Sequence, residues 1–238
     1  MTTLAQATAA AERGRPGAGY YFFKRCFDSV VALFLLLFLS PLLLLIALLI
    51  VLESRGSPLF IQERMGSARV RRGGSTVWEA RTFRLYKFRS MRQSSGSAAD
   101  PHVAHIKAFV AGRVDATANG GTFKLSNDSR VTRVGQILRR TSLDELPQLL
   151  NVLKGEMSLV GPRPSPTYEV DAYDEWHYRR LEARPGLTGL WQVSGRCALS
   201  FEEMVQLDLD YVGRQSLLLD LKLLVQTIPA VVAGRGAG

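Results

Sequence analysis

The sequence is poor in the residues that build metal cages and disulfide frameworks. Cys26 and Cys197 are its only cysteines, and they form no CxxC pair. Neither a thiolate metal site nor a disulfide scaffold is implied, and a reducing compartment is the expectation. Histidine is equally scarce. His102 and His105 can share one helix face, but they and His177 lack Cys or carboxylate partners at ligand spacing, so a zinc site is not expected. No GxxxxGK[ST] or GxGxxG stretch occurs, which argues against a P-loop NTPase and a Rossmann enzyme. There is no internal repeat and no small-residue cleavage site after the first apolar run, so a secretory signal is not expected. Acidic residues are in deficit, 21 against 30 basic ones, for a formal charge of +9. That balance suggests a polyanionic partner: nucleic acid, an anionic membrane surface or phosphorylated substrates.

What the 238 residues do contain is unevenly spread. Residues 1–19, rich in Ala, Gly, Thr and Arg without an apolar period, read as a disordered tail. Residues 30–52 then run for 23 positions without a charge. At about 1.5 Å per residue this run can cross a hydrocarbon core of roughly 30 Å. Ser40-Pro41 interrupts it, and proline removes a backbone hydrogen bond; the Ser40 hydroxyl is a candidate partner for the carbonyl released. Lys24 and Arg25 precede the run, while Arg55, Arg64, Arg69, Arg71 and Arg72 follow it. Positive charge at both ends draws both to the cytoplasm. A helix that enters, breaks and returns satisfies this; a kinked span with a cytoplasmic domain is the alternative.

Downstream, residues 57–62 and 82–89 read as short strands separated by a turn at Arg72-Gly73-Gly74-Ser75. Residues 93–100 read as a loop, 101–112 as a short amphipathic helix and Asn119-Gly120-Gly121 as a turn. Helices are expected over residues 132–140 and 146–154, the second stopped by Gly155. Pro162, Pro164 and Pro166 impose an extended loop. Residues 168–183 read as one polar helix, 201–211 as another, and 216–232 as an amphipathic helix on the core or a membrane surface.

The chemistry centres on Asp144 and Glu145, within Ser142-Leu143-Asp144-Glu145-Leu146-Pro147. Ser142 and Glu145 match a capping box, and acidic residues complement a helix N-terminus. Pro147 complicates that register, because a regular helix can begin at Pro147 itself. Arg130, Arg133, Arg139 and Arg140 lie just upstream, and Arg163 downstream in the proline loop. Adjacent carboxylates beside arginines suit phosphoryl chemistry, with a carboxylate as nucleophile or Mg²⁺ ligand and guanidiniums holding phosphate oxygens. A solvated basic face that binds anionic lipid is the plainer reading of the arginines.

Seven motifs then appear in one order: Lys24-Arg25-Cys26-Phe27-Asp28, Ser40-Pro41, Gln62-Glu63-Arg64-Met65-Gly66, Tyr86-Lys87-Phe88-Arg89-Ser90-Met91, Asp128-Ser129-Arg130-Val131-Thr132-Arg133-Val134-Gly135, residues 141–164, and Arg184-Pro185-Gly186-Leu187-Thr188-Gly189 continuing to Arg196. In these the chain resembles the small monotopic phosphoglycosyl transferases, also called bacterial sugar transferases or polyprenyl-phosphate hexose-1-phosphate transferases, from about Phe23 to Pro229. The resemblance implies transfer of a sugar 1-phosphate from a UDP-sugar to a polyprenyl (undecaprenyl) phosphate, releasing UMP, at the start of exopolysaccharide, O-antigen or other glycoconjugate assembly. Asp144 is then the nucleophile and Glu145 its partner, with both holding Mg²⁺. Arg139, Arg163, Lys87, Arg89 and Arg130 are then the substrate-phosphate contacts, Lys87 and Arg89 from a basic motif near the site.

The fold implied is an α-rich α/β one. Residues 20–54 form a re-entrant membrane helix broken at Ser40 and Pro41. Residues 55–238 form a compact catalytic domain on the cytoplasmic face of the bacterial inner membrane, with amphipathic helices and a few short strands. Anionic membrane lipid and a homodimer are further expected partners, and nucleic acid is not. The chain departs from compact relatives in its longer tail, in the Gly-rich segment 69–81 and in an insertion over 94–125. Two rivals make different predictions. A noncatalytic basic membrane protein shows salt-sensitive binding and no turnover. A phosphatase with an Asp nucleophile releases product without a lipid acceptor.

Overall fold

The computed structural model describes residues 16–92, 101–110, 112, 130–194 and 199–232, with side chains omitted at 101–105 and 231–232. Most of the expected tail, the 93–100 loop, the 119–121 turn, Asp128, Ser129, Arg196 and Cys197 lie outside the described residues, as do the side chains of His102 and His105.

Two helices open the fold, α1 (Ala18–Phe38) and α2 (Ser40–Glu53), bent by 61°. The break has a local cause. Pro41 has no N–H to offer the Leu37 carbonyl four residues back. The Ser40 hydroxyl donates to that carbonyl instead, at 2.8 Å. No single described helix is long and apolar enough to cross a membrane; the bent pair passes by length and composition only when taken together. α1 buries Lys24, Asp28 and Ala32 at four-residue spacing, and α2 buries Ile46 and Ile50. Phe34, Leu37, Phe38, Leu44, Leu48 and Leu52 remain exposed around the bend.

The two expected short strands are one long hairpin, β1 (Leu59–Arg72) and β2 (Ser75–Phe88), each of 14 residues. Gly73 and Gly74 both take positive φ, 55° and 86°, the two-residue turn whose twist matches antiparallel strands. Beyond Val70 the arms are largely exposed, so they carry no apolar alternation by which a strand is recognised. Pairing and the glycine turn extend them; Arg69 stacks on Tyr21 of α1 at 3.8 Å, and Trp78 meets the same ring edge-on.

Helix α3 (Pro101–Val110) leads into α4 (Arg133–Thr141), whose N-cap is Thr132, accepting from the Gly135 N–H at 2.9 Å. The helix expected over 146–154 is divided. A 3-10 segment, Leu143–Gln148, contains Pro147, and α5 (Leu149–Lys154) follows, ending on Gly155 at φ 83°. Next come β3 (Ser158–Val160), β4 (Ser165–Pro166) and α6 (Thr167–Val170). A second 3-10 segment, Glu175–Glu182, follows instead of the single polar helix expected over 168–183. Its start is fixed by a capping box in which His177 Nδ1 accepts from the Asp174 N–H. Last are β5 (Gly186–Thr188), α7 (Leu190–Ser194), α8 (Phe201–Arg214) and α9 (Leu217–Val232).

β4 pairs with β1 at Arg64 and Met65, and β3 runs parallel to β5. The main core gathers Leu149, Val152, Met157, Leu159, Val160, Tyr211 and Leu223 around Ala32 of α1 and Leu85 of β2. Gly186 crosses Gly161 so closely that a Cβ on it would lie 2.1 Å from the Gly161 nitrogen. The Lys24-Arg25-Cys26-Phe27-Asp28 motif ties α1 into this body. Lys24 makes a buried 2.8 Å ion pair with Asp220 of α9, Arg25 donates to the Val152 and Leu153 carbonyls at the end of α5, and Asp28 accepts from Leu159 N–H.

Candidate active site

The site forms where the end of β2 meets the 3-10 segment after α4. Ser142 turns the chain between them in the left-handed region, at φ 58°, the only described non-glycine residue there. That geometry overturns the capping-box expectation. The Ser142 side chain makes no cap hydrogen bond; its carbonyl accepts from the Glu145 N–H at 3.2 Å. The Glu145 carboxylate reaches across to Arg163, with Nη1 to Oε1 at 3.3 Å. Asp144 is buried, 6% exposed, and meets Lys87 of β2, with Nζ to Oδ2 at 3.3 Å. Two carboxylates and two cations thus come from three separate segments.

Asn151 holds two of those segments together. Fully buried in α5, it donates to the Arg84 carbonyl and to Glu156, and its Oδ1 accepts from the Tyr86 N–H. The amide thereby replaces a strand neighbour for the stretch of β2 just before Lys87. Asn151 lies among the Leu and Val of α5 in no recognised motif; its signal is a polar residue at a position that the helix must bury.

Glu53 fixes the other approach. Both its carboxylate oxygens accept backbone N–H groups at the start of α4, from Arg133 at 2.7 Å and Val134 at 3.0 Å. α4 in turn packs Leu138 and Val134 on Ile46 and Ile50 of α2. The bent helix pair therefore supports the segment that carries Asp144.

The remaining expected site residues are dispersed. Arg163 sits in the proline loop, which β1 holds by pairing Arg64 with Pro166 and Met65 with Ser165. Arg139 is half-buried in the last turn of α4. Arg130 is half-buried beside the end of β2, where its carbonyl accepts from Arg92 N–H. Ser40 and Pro41 form the bend. Arg89 is turned away from Asp144 and Glu145: it is buried and its guanidinium donates to the Ser54 and Arg55 carbonyls and to Ser54 Oγ. β2 ends at Phe88, so the two-residue alternation that would place Arg89 beside Lys87 no longer applies.

Behind Arg163 lies a charged network for which no sequence pattern stood out. Ser165 Oγ and Tyr173 OH both donate to Glu169, and Arg180 bridges Glu169, Tyr173 and Asp208. Burial pushes the Asp208 carboxyl upward, while Arg180 draws it back. The network anchors α8 against the proline loop.

Comparison with known proteins assigns the family. The sequence profile described as bacterial sugar transferase matches residues 19–234. The exopolysaccharide production protein ExoY of Sinorhizobium fredii is 41% identical over 90% of this chain and 87% of its own length. The undecaprenyl-phosphate galactose phosphotransferase of Salmonella typhimurium is 41% identical over 91% of this chain but only 42% of its own. The UDP-N-acetylgalactosamine-undecaprenyl-phosphate N-acetylgalactosaminephosphotransferase of Aeromonas hydrophila is 37% identical over 93% and 46%. The chain therefore belongs to the bacterial sugar transferase family and is an enzyme of the phosphosugar-transferase class.

Proposed function

We propose that this enzyme transfers a sugar 1-phosphate from a UDP-sugar to undecaprenyl phosphate in two displacements at Asp144. An Asp144 carboxylate oxygen attacks the phosphorus attached to the sugar. The bond from that phosphorus to the UMP oxygen breaks, and UMP leaves with the electron pair. An oxygen of the lipid phosphate then attacks the same phosphorus, and the Asp144 carboxylate leaves. The products are polyprenyl-diphosphate-sugar and UMP, and the carboxylate is restored. A covalent phosphosugar–aspartate lets one carboxylate serve a soluble donor and a lipid acceptor in turn.

The observation that carries this reading is the buried Asp144 on Lys87 beside the Glu145–Arg163 pair. Lys87 orients the Asp144 carboxylate. Arg163 has a planar fork suited to phosphate oxygens, and an arriving phosphate competes with Glu145 for it. Asp144 and Glu145 also fit Mg²⁺, which takes one or two carboxylates along with substrate phosphates and water. The described residues contain no cluster of three or more His, Cys, Asp or Glu of the kind an all-protein metal cage needs. Bound there, Mg²⁺ would offset the diphosphate charge.

The bent pair α1–α2 is read as a re-entrant hairpin in the inner membrane, with the site on its cytoplasmic face. The exposed apolar bend and the basic residues at both ends support this. α9 exposes Leu218, Leu221, Val225 and Ile228 along one stripe, as a helix resting on the membrane surface would.

The test is UMP release from a panel of UDP-sugars with Mg²⁺ and undecaprenyl phosphate, with intact-mass detection of a phosphosugar adduct. Full turnover in Asp144→Asn would remove the nucleophile from this account. Free sugar phosphate formed with lipid omitted would make the enzyme a hydrolase.

A further inference from the structure

Next to Arg163 the structure has a small pocket whose lining includes Arg64, Arg163, Arg180, Trp191, Phe201 and Met204. Phe201 and Met204 belong to an apolar cluster with Trp191, so the pocket has an apolar wall. Its polar lining sets the donors of Arg64, Arg163, Arg180 and Trp191 beside Ser165 and the Glu169 carboxylate, whose Oε1 already accepts from Ser165, Tyr173 and Arg180. Arg64 Nε, Arg180 Nε and Trp191 Nε1 are each buried with no hydrogen-bond partner among the described residues. Arg180 and Trp191 are 5% and 6% exposed. A buried N–H without an acceptor is destabilising, so three around one pocket ask for one.

The charges point the same way. Arg180 is paired with Glu169 and Asp208, and Arg163 with Glu145. Arg64 is different. Its guanidinium donates to two neutral oxygens, the Pro164 carbonyl at 3.1 Å and Gln62 Oε1 at 2.7 Å. No carboxylate lies within ion-pair distance of it among the described residues. Burial and the neighbouring Arg163 charge push it down to about 10. Two guanidiniums side by side, one without a counter-ion, form a site that gains energy when an anion enters.

We propose that Arg64 and Arg163, with the Trp191 indole N–H, form an oxyanion subsite that takes one phosphate group of a substrate. This makes Arg64 a substrate-binding residue, and it rests on the phosphosugar-transfer reading for the identity of the substrate. Both substrates carry phosphate, so the subsite can serve the nucleotide or the lipid. Arg163 exchanges Glu145 for the phosphate, while Arg64 keeps its hold on Pro164 and presents its remaining donor.

The experiment uses the full chain in lipid nanodiscs. Binding of UMP, inorganic pyrophosphate and undecaprenyl phosphate is measured by calorimetry, without turnover, for the wild type and Arg64→Lys. Lysine keeps the charge and loses the fork, so binding of the phosphate that uses the subsite should weaken about tenfold. A loss with UMP and pyrophosphate assigns the subsite to the nucleotide, and a loss with undecaprenyl phosphate assigns it to the lipid. In parallel, the Trp191 indole N–H resonance, identified by its absence in Trp191→Phe, should move when the wild type is saturated with the same ligand. This second readout needs no Arg64 variant to fold. Unchanged affinity for all three ligands in folded Arg64→Lys, or an indole resonance that stays still at saturation, overturns the subsite. A wild type that binds these phosphates but transfers no phosphosugar would overturn the function and leave the subsite standing.

Discussion

Lys87 Nζ stands 3.3 Å from Asp144 Oδ2, joining the end of a strand to a 3-10 turn far along the chain. The lysine is 28% exposed in its side chain and the aspartate 8%, so the pair sits at a partly desolvated boundary. Charge placed there acts more strongly than in water. Lys87→Met should lower kcat by about 10²-fold, with the fold retained by circular dichroism. A change confined to the KM for the UDP-sugar would show that Lys87 binds the donor rather than orienting Asp144.

Asp144→Asn keeps the shape and removes the attacking charge. UMP release should fall by at least about 10³-fold, and the phosphosugar adduct should vanish from the intact mass. Glu145→Gln should still form the adduct at a reduced rate, because the nucleophile remains.

Arg89 closes the exit of α2 by three hydrogen bonds to Ser54 and Arg55. A cation at a helix C-terminus is also favoured by the dipole. Arg89→Met should cost about 2–4 kcal/mol through the carbonyls it leaves unpaired, read as a lower Tm. It should also speed proteolysis between α2 and β1. Lost activity with an unchanged Tm would instead restore Arg89 to phosphate binding.

Gly186 and Gly161 pass each other without room for a side chain. Gly186→Ala must push β5 away from the start of the proline loop, where Gly186 N–H donates to the Pro162 carbonyl. Destabilisation of about 1–3 kcal/mol is expected, along with weaker donor binding as Arg163 shifts. Chemical denaturation and the donor KM measure the two effects.

His177 gives a pH dependence. It is 3% exposed, and burial holds its imidazole below the ordinary value of 6.5. The neutral ring accepts the Asp174 N–H at Nδ1, a bond that protonation removes. The unfolded chain takes up this proton first as pH falls, so the stability contributed by neutral His177 is complete above about 6.5 and lost below it. Between pH 7 and pH 5 the wild type should lose more Tm than His177→Gln, whose amide oxygen can still accept. Parallel profiles for the two would remove His177 from the acid response.

Much of the fold was legible where a local rule had a single outcome. Pro41 must release the Leu37 carbonyl, Ser40 lies beside it, and the structure joins them. Gly155 ends α5 and Gly73-Gly74 turns the hairpin as those residues require. Where local signals conflicted, reading by period failed. Ser142 and Glu145 spell a capping box, but Arg163 claims the Glu145 carboxylate. Residues 168–183 have helix-forming composition, yet Asp174 and His177 cap a new segment in their midst. The strand arms past Val70 bury little, so no alternation announced them.

By itself, then, the sequence determined the broken apolar helix, the glycine turns at Gly73-Gly74 and Gly155 and the presence of the Asp144-Glu145 pair, because each depends on bonds within a few residues. Tertiary structure alone decided which cations meet that pair. Lys87 and Arg163 are selected, and Arg89 is diverted to α2, by how β2 ends and how Asn151 and Glu53 fasten their segments. Those contacts join residues far apart in the chain, and ion pairing depends on separation in space, which no local pattern encodes.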